Sequence, residues 1–266
     1  MSIKKQAIVV HSGGMDSSLC LALAIKEFGA ANVLSMSFSY GQRHSNELEQ
    51  AEKICHAWNI DHIVLNIDCL QEITENAMTN KNMEIIYNTD SPPNTLVVGR
   101  NGLMARLAAI HADHLGANCI YMGVIEVEAA NSGYRDCKRS YIDLLQEILR
   151  IDLDNNNFEI RTPLVYMTKY ETMELGYELG VLEYLLTETL TCYRGVAKWG
   201  CNNCPSCKLR NEGIQQFLAK HPEWWPRVKL MLQRTERLGR ANQEFQAEHK
   251  KAFEKILKIV SNSPKN

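Results

Sequence analysis

The chain has 266 residues, of which 45% are hydrophobic and 23% charged, with a formal net charge of −2. These values are typical of a globular protein with one good-sized domain and a small appendage, and they give no reason to expect nucleic acid or an anionic membrane as a partner. No apolar run approaches the roughly 20 residues of a membrane helix, and the N-terminus lacks the cleavage site of a secretory signal. We therefore expect a cytoplasmic protein.

The first predicted elements are a strand, a glycine-rich turn and a helix. The strand is the short β-branched run at residues 7–10, and the turn reads SGGMDS at residues 12–17. Paired glycines let the backbone approach an anion, and N–H groups at a helix start can surround a phosphate. The lysine of a Walker loop and the third glycine of a dinucleotide motif are missing. The turn predicts a different phosphate-binding loop, with an ordinary Gly-Gly turn as the alternative.

SGGMDS resembles the PP-loop, SGGxDS, of the ATP pyrophosphatase superfamily. Those enzymes split ATP between its α- and β-phosphates and adenylate an acceptor oxygen. The resemblance implies that ATP binds at His11, Ser12, Gly13, Gly14, Met15, Asp16, Ser17, Ser18, Leu19, Cys20 and Leu21. Asp16 could also hold a magnesium ion through oxygen.

Further apolar runs alternate with helical patterns along the chain. Strands are predicted at residues 32–38, 63–67, 118–124 and 158–164, and helices at 45–58, 100–115, about 139–149 and about 168–179. The alternation predicts an α/β fold with a doubly wound, mostly parallel five-stranded sheet. In the helix at 100–115 we expect Leu103, Leu107, Ala108 and Ile110 to form the buried stripe. Residues 72–93 are polar and predict a long loop, either a lid or a disordered segment.

Four of the nine cysteines lie within sixteen residues, in the pattern C-x8-C-x2-C-x2-C: Cys192, Cys201, Cys204 and Cys207. Four thiolates at this spacing can close around one tetrahedral zinc ion. An iron–sulfur cluster and two disulfides are the alternatives, but Pro205 lies inside the pattern instead of after its last cysteine. We expect structural zinc. A helix at 208–218 and one or two amphipathic helices over 227–260 follow, so domains are predicted at 1–190 and 191–266.

Polar clusters stand at residues 40–44, 94–101, 132–139 and 187–193. Ligands of a parallel α/β sheet bind beyond the carboxyl ends of its strands, so the first and third clusters should lie beside the phosphate loop. Arginines suit phosphates or a substrate carboxylate, and tyrosines can stack on a purine-like ring or simply pack. An aspartate can accept a proton or stabilise a turn. The candidates are Arg43, Arg100, Arg139, Tyr134, Tyr193 and Asp136.

Taken together, SGGMDS, YGQRH, GRN, SGYxDC, ETLTCY and the four cysteines resemble the 7-cyano-7-deazaguanine synthases of queuosine biosynthesis, from about residue 7 to 218. The resemblance implies a C–N bond-forming ligase. ATP would adenylate 7-carboxy-7-deazaguanine, ammonia would give an amide, and a second ATP would lead to the nitrile, releasing AMP and pyrophosphate. The resemblance also implies that the enzyme uses magnesium, holds a structural zinc ion and forms a homodimer.

The same resemblance implies the residues of the active site. Asp16, Arg100 and Asp136 would be catalytic, and the substrate would contact Tyr40, Gln42, Arg43, Arg100, Asn101, Ser132, Gly133, Tyr134, Asp136 and Glu188. The chain departs from the family pattern near this site, for example at Arg135 and Lys138 within SGYRDCK. Three alternatives therefore stay open: a divergent ligase that adenylates another carboxylate, on a protein or nucleic acid; a tRNA thiolase; and a non-catalytic nucleotide-binding protein.

Overall fold

The computed structural model describes residues 4–41, 46–77, 83, 94–127 and 133–239, with side chains up to residue 234. The described residues divide into two compact units, one ending at Thr168 and the other beginning at Lys169. The domain boundary predicted from the sequence lies later, after residue 190. The earlier division has a physical reason, since the helix Lys169–Glu178 packs against the helix Pro205–Lys220 of the second unit.

The first unit contains five strands and five helices within the described residues. In chain order these are β1 (Ala7–Val10), α1 (Met15–Phe28), β2 (Val33–Ser39), α2 (Asn46–Ala57), β3 (Asp61–Asn66), α3 (Cys69–Ile73), α4 (Arg100–Leu115), β4 (Cys119–Met122), α5 (Arg139–Asp152) and β5 (Glu159–Arg161). The strands form one sheet in the order β3-β2-β1-β4-β5, and every neighbouring pair is parallel. The predicted five-stranded parallel sheet is confirmed.

The centre of the sheet is the place where its strand order reverses. β1 pairs with β2 on one side and β4 on the other, so the chain leaves β1 and β4 at the same edge. Nearly every residue of β1, β2 and β4 is buried, as expected for a parallel strand covered by helices on both faces. This reversal is where ligands bind in open α/β sheets, and the SGGMDS turn follows β1 directly.

The buried face of α4 differs from the predicted one. Its fully buried residues are Ala105, Ala108, Ala109 and Ala112, whereas Ile110 is 55% exposed. α4 packs against β1 and β4, and alanines allow the helix to lie close to the sheet. The predicted stripe was therefore wrong at Ile110 and correct at Ala108.

The second unit is helical in its described part. Its helices are α6 (Lys169–Glu178), α7 (Leu182–Glu188), α8 (Pro205–Lys220) and α9 (Trp225–Gly239). The rings of Tyr177, Phe217, His221 and Trp224 pack together, and His221 Nε2 lies 3.0 Å from both carboxylate oxygens of Glu174. The predicted helical pattern over residues 240–260 lies outside the described residues. Within the described part of the chain, no helix is both long and apolar enough to cross a membrane.

Candidate active site and metal site

The SGGMDS turn is held close to α2 and β4 at two glycines. Gly13 has a φ of +76°, and a Cβ there would lie 2.6 Å from the backbone oxygen of Glu47. Gly123, directly after β4, would place a Cβ 2.7 Å from the backbone nitrogen of Ser17. Neither position has room for a side chain. The close approach holds the start of α1 against the ends of the central strands.

The start of α1 is open to an anion. Gly14 is the N-cap, and within the described residues no side chain caps the helix. The first N–H groups of a helix have no intrahelical partner and favour negative charge. The serines instead brace the turn: Ser17 Oγ accepts the Ser12 N–H at 3.1 Å, and the Ser17 and Ser18 hydroxyls donate to the Gly14 carbonyl at 3.2 and 2.7 Å. The uncapped helix start makes this turn a candidate phosphate site.

His11 lies beneath this turn and is only 1% exposed. Its Nε2 is 3.0 Å from Ser18 Oγ, and its Nδ1 is 3.0 Å from Ser35 Oγ. Because the Ser18 hydroxyl donates to Gly14, its oxygen accepts from Nε2–H, which leaves Nδ1 to accept from Ser35. Burial, with a smaller contribution from His62, lowers the pKa of His11 to about 3. The imidazole is therefore neutral and supports the turn from below.

Some of the predicted ATP-binding residues have their side chains in the core. Leu19, Cys20 and Leu21 are all 0% exposed, as helical residues that face the sheet should be. Their side chains pack beneath the turn and do not face a nucleotide. Asp16 in the first turn of α1 is partly exposed, at the position from which a carboxylate can reach a phosphate-bound cation.

A second group of polar side chains surrounds the start of α4. Arg100 Nη1 donates to the Tyr40 hydroxyl at 3.2 Å, and its guanidinium lies 5.6 Å from the centroid of the Tyr40 ring. Burial opposes the charge of Arg100, but Tyr40, Tyr134, Asp136 and Glu47 outweigh it and raise its pKa above the ordinary value. Arg100 is thus a partly buried cation that stays charged.

Asp136 is tied to the same helix start. Its Oδ2 accepts the Asn101 backbone N–H at 3.0 Å, and a carboxylate is favourable at a helix N-terminus. Asn101 Nδ2 lies 3.3 Å from Cys137 Sγ, and the Tyr134 hydroxyl lies 2.5 Å from Thr95 Oγ1. Gly133 precedes this segment with a φ of +78°, which suits a turn. The structure brings together the predicted residues Tyr40, Arg100, Asn101, Gly133, Tyr134 and Asp136 around this helix start.

Glu47 and Gly123 belong to this region, although the sequence analysis did not single them out. Glu47 is half-buried in the first turn of α2, and burial raises its pKa to about 7, against the opposing effect of Arg100. Gly123 could have been found as a glycine that directly follows a central strand. No sequence signal marks Glu47, because its environment depends on the approach of α4.

The remaining predicted residues are described separately or not at all. Gln42, Arg43 and Ser132 lie outside the described residues, and Glu188 ends α7 in the second unit. The guanidinium of Arg139 is engaged within its own unit, with donor distances of 2.8 Å to Thr162 Oγ1 and 2.6 Å to Asp143 Oδ1. Arg139 therefore connects α5 to the segment after β5.

The four clustered cysteines of the second unit form a candidate metal site. Their sulfurs all lie within 4.8 Å of one another. A tetrahedral ion with ligands at about 2.3 Å requires sulfurs ~3.8 Å apart, so the arrangement fits one ion. All nine cysteines are unbridged in the structure. The Cys204 N–H lies 3.3 Å from Cys201 Sγ, as suits a thiolate ligand, and Tyr193 packs against the cluster.

A buried arginine lies beside these sulfurs. Arg210 is 3% exposed and donates to the carbonyl oxygens of Lys198 and Trp199. Burial lowers the pKa of Arg210, while the cysteines favour its charged form. Four thiolates around a divalent ion carry a net negative charge, which this guanidinium offsets. The donor set and its surroundings therefore fit a closed metal site.

Comparisons with known proteins give remotely similar solved structures and one matching family model. Three solved structures are remotely similar. NMN synthetase from Francisella tularensis is 16% identical with a TM-score of 0.39, over 68% of this chain and 64% of that one, so the chain spans about two thirds of its length. The U34-tRNA thiolase NcsA from Methanococcus maripaludis, with its [4Fe-4S] cluster, is 12% identical with a TM-score of 0.44, over 98% and 74%.

The NH3-dependent NAD synthetase from Campylobacter jejuni is 14% identical with a TM-score of 0.41, over 99% of this chain and 90% of that one. A family model, queuosine biosynthesis protein QueC, matches residues 6–218. That range includes the whole phosphate loop, the group around Arg100 and all four clustered cysteines. The chain belongs to the QueC family of queuosine biosynthesis proteins.

Proposed function

We propose that the chain converts 7-carboxy-7-deazaguanine and ammonia into 7-cyano-7-deazaguanine, with release of AMP and pyrophosphate. The observation that carries the proposal is the family match over residues 6–218, because it includes both the phosphate loop and the polar group at the start of α4. An uncapped helix start and a partly buried arginine in one unit suit an enzyme that handles a triphosphate and a carboxylate together.

The proposed reaction has two activations. A carboxylate oxygen of the acid attacks the α-phosphorus of ATP, the bond to the β-phosphate breaks, and pyrophosphate leaves. Ammonia then attacks the carbonyl carbon, AMP leaves, and the added nitrogen loses a proton to give the amide. In the second activation the amide oxygen attacks the α-phosphorus of a second ATP, the bond to the β-phosphate breaks, and pyrophosphate leaves. Loss of AMP and of the remaining two N–H protons leaves the nitrile.

In this proposal the protein acts mainly by positioning and charge stabilisation. The N–H groups at the start of α1 hold the β- and γ-phosphates, which leave as pyrophosphate. Arg100 stabilises negative charge on the acid and on the α-phosphate. Asp16 is the residue that would hold magnesium, an ion that draws off charge developing on the phosphates when bound.

We propose that the four-cysteine site holds zinc and that its role is structural, because all four ligand positions are supplied by protein and none is left for a substrate. We also propose ammonia as the nitrogen donor, a cytoplasmic location and a homodimer. Sedimentation equilibrium tests the last of these: a single species with the mass of one chain would exclude it.

A second candidate is a ligase that adenylates a different carboxylate, on a protein or a nucleic acid. The observation that favours it is the exposure of Arg135 and Lys138, which flank the buried Asp136. Two cations at the rim of the site would suit an anionic macromolecule. This candidate shares the ATP chemistry and differs only in the acceptor.

The test is pyrophosphate release from magnesium ATP, with the deazaguanine acid and ammonium added in turn and products identified by mass spectrometry. We expect release that depends on the acid and nitrile that depends on ammonium. Asp16→Ala should lower the rate by about 100-fold or more, whereas Asp113→Ala, an exposed position on α4, should not.

Each result separates the candidates. AMP formed only with another acceptor would retain the phosphate-loop assignment and reject the deazaguanine substrate. No AMP with any acceptor would favour a nucleotide-binding protein without catalysis.

A further inference from the structure

One oxygen of the Asp136 carboxylate has no partner among the described residues. The residue is 5% exposed, and its Oδ2 accepts the Asn101 N–H at 3.0 Å. Oδ1 is fully buried and accepts no hydrogen bond from the described part of the chain. A buried acceptor without a donor costs free energy, and native proteins rarely leave one. Oδ1 is therefore placed to accept a hydrogen bond from a ligand.

The surroundings restrict what that ligand can be. Arg100 is a neighbouring, partly buried cation whose charge interacts with Asp136. Because this guanidinium already offsets the carboxylate, a second cation such as ammonium or magnesium would meet repulsion there. A neutral N–H donor would not be repelled by the Arg100 guanidinium. The oxygen therefore favours an N–H group of an uncharged ring.

The aromatic residues around Asp136 favour a flat ligand. Tyr134 is two residues away in the chain, and Tyr141 is close enough to interact electrostatically with Asp136. The Tyr141 hydroxyl lies against the start of α4, where a Cβ at Gly102 would come within 2.1 Å of it. Because residue 102 is a glycine, the Tyr141 ring has space beside the Asp136 carboxylate.

We infer that Oδ1 of Asp136 accepts a hydrogen bond from the N–H edge of a 2-aminopyrimidinone ring and so selects guanine-like acceptors. The inference rests on the proposed function and deepens it, since it assigns one atom to one edge of the substrate. A deazaguanine acid carries N–H donors on its pyrimidine ring and a carboxylate on its five-membered ring. Asp136 and Arg100 provide the matching acceptor and cation. Asp136 is then a specificity-determining residue.

The test is equilibrium binding of 7-deazaguanine and 7-deazahypoxanthine, which differ only in the 2-amino group. Neither base carries a carboxylate, so binding is measured without turnover. We expect the wild-type chain to prefer 7-deazaguanine by roughly 10- to 100-fold. Asp136→Asn should weaken that binding by a similar factor and abolish the preference, whereas Asp113→Asn on the exposed face of α4 should change neither.

The wild-type comparison needs no variant and is decisive by itself. Equal binding of the two bases, or no binding of either, would overturn the inference. Unchanged 7-deazaguanine binding in an Asp136→Asn protein with wild-type melting temperature would also overturn it. The proposed function can fail separately, since acid-dependent pyrophosphate release could be absent while the base preference persists.

Discussion

At the scale of single residues, the neutral His11 beneath the phosphate loop makes stability depend on pH. Burial lowers its pKa to about 3 from the value of 6.5 expected without burial. Between these values the unfolded chain binds a proton that the native chain excludes. The free energy of unfolding is therefore highest above pH 6.5 and falls as the pH falls from about 6.5 towards 3. His62, whose pKa burial also lowers, adds in the same direction.

We expect His11→Gln to reduce this pH dependence. One proton corresponds to a slope of at most about 1.4 kcal/mol per pH unit in the free energy of unfolding. Between pH 6 and pH 4.5 the variant should lose most of the part of this slope that His11 contributes. Urea unfolding at several pH values measures it. His56→Gln is the control, since His56 is exposed near the end of α2. Equal slopes for wild type and His11→Gln would contradict the assignment.

The phosphate loop was predictable from sequence because its chemistry is local. Two glycines, three serines and a helix start are contiguous, and the resemblance depends on six residues. Glu47 and Gly123 were not predictable in the same way, because each acquires its role from a neighbour distant in sequence. The close approach of Gly123 to Ser17 exists only once β1 and β4 are paired.

At the scale of elements, the predictions from sequence are correct where the cause is local and wrong where it depends on tertiary packing. The bounds of β1 and α4 were predicted to the residue, since each begins and ends at a clear change of pattern. β5 is shorter than expected, because only residues 159–161 pair with β4. The short helix α7 was missed, as its seven residues are too few to show a helical period. Whether a helix forms depends mainly on the local sequence, whereas which of its faces is buried depends on the surface that the helix packs against.

The alanine face of α4 gives a direct test of that point. Ala109 is 0% exposed where α4 packs on the sheet, and Ile110 beside it is 55% exposed. We expect Ala109→Leu to destabilise the protein by about 1–3 kcal/mol through overpacking, and Ile110→Ala to stay within about 0.5 kcal/mol of wild type. Chemical denaturation of both variants checks this. The reverse order would mean that the originally predicted stripe, with Ile110 inside, is the buried one.

At the scale of the whole molecule, the two units depend on different kinds of stabilisation. The first is built on a sheet with a large apolar core. Around the start of α8 there is a small cluster whose three buried residues are all cysteines. Such a cluster buries little apolar area, so a metal bound by its thiolates would contribute much of the local folding free energy.

We therefore expect Cys204→Ser to lower the bound metal well below one equivalent per chain and to destabilise the protein by at least about 2 kcal/mol. Cys204 is 0% exposed and is also the N-cap of α8, so loss of the ion should loosen that helix start. Cys69→Ser, at an exposed cysteine in α3, is the control and should keep metal and stability. Elemental analysis together with calorimetry measures both quantities. One equivalent of zinc retained in Cys204→Ser would reject the four-thiolate site, and iron in the wild-type chain would reject zinc while leaving the ligands in place.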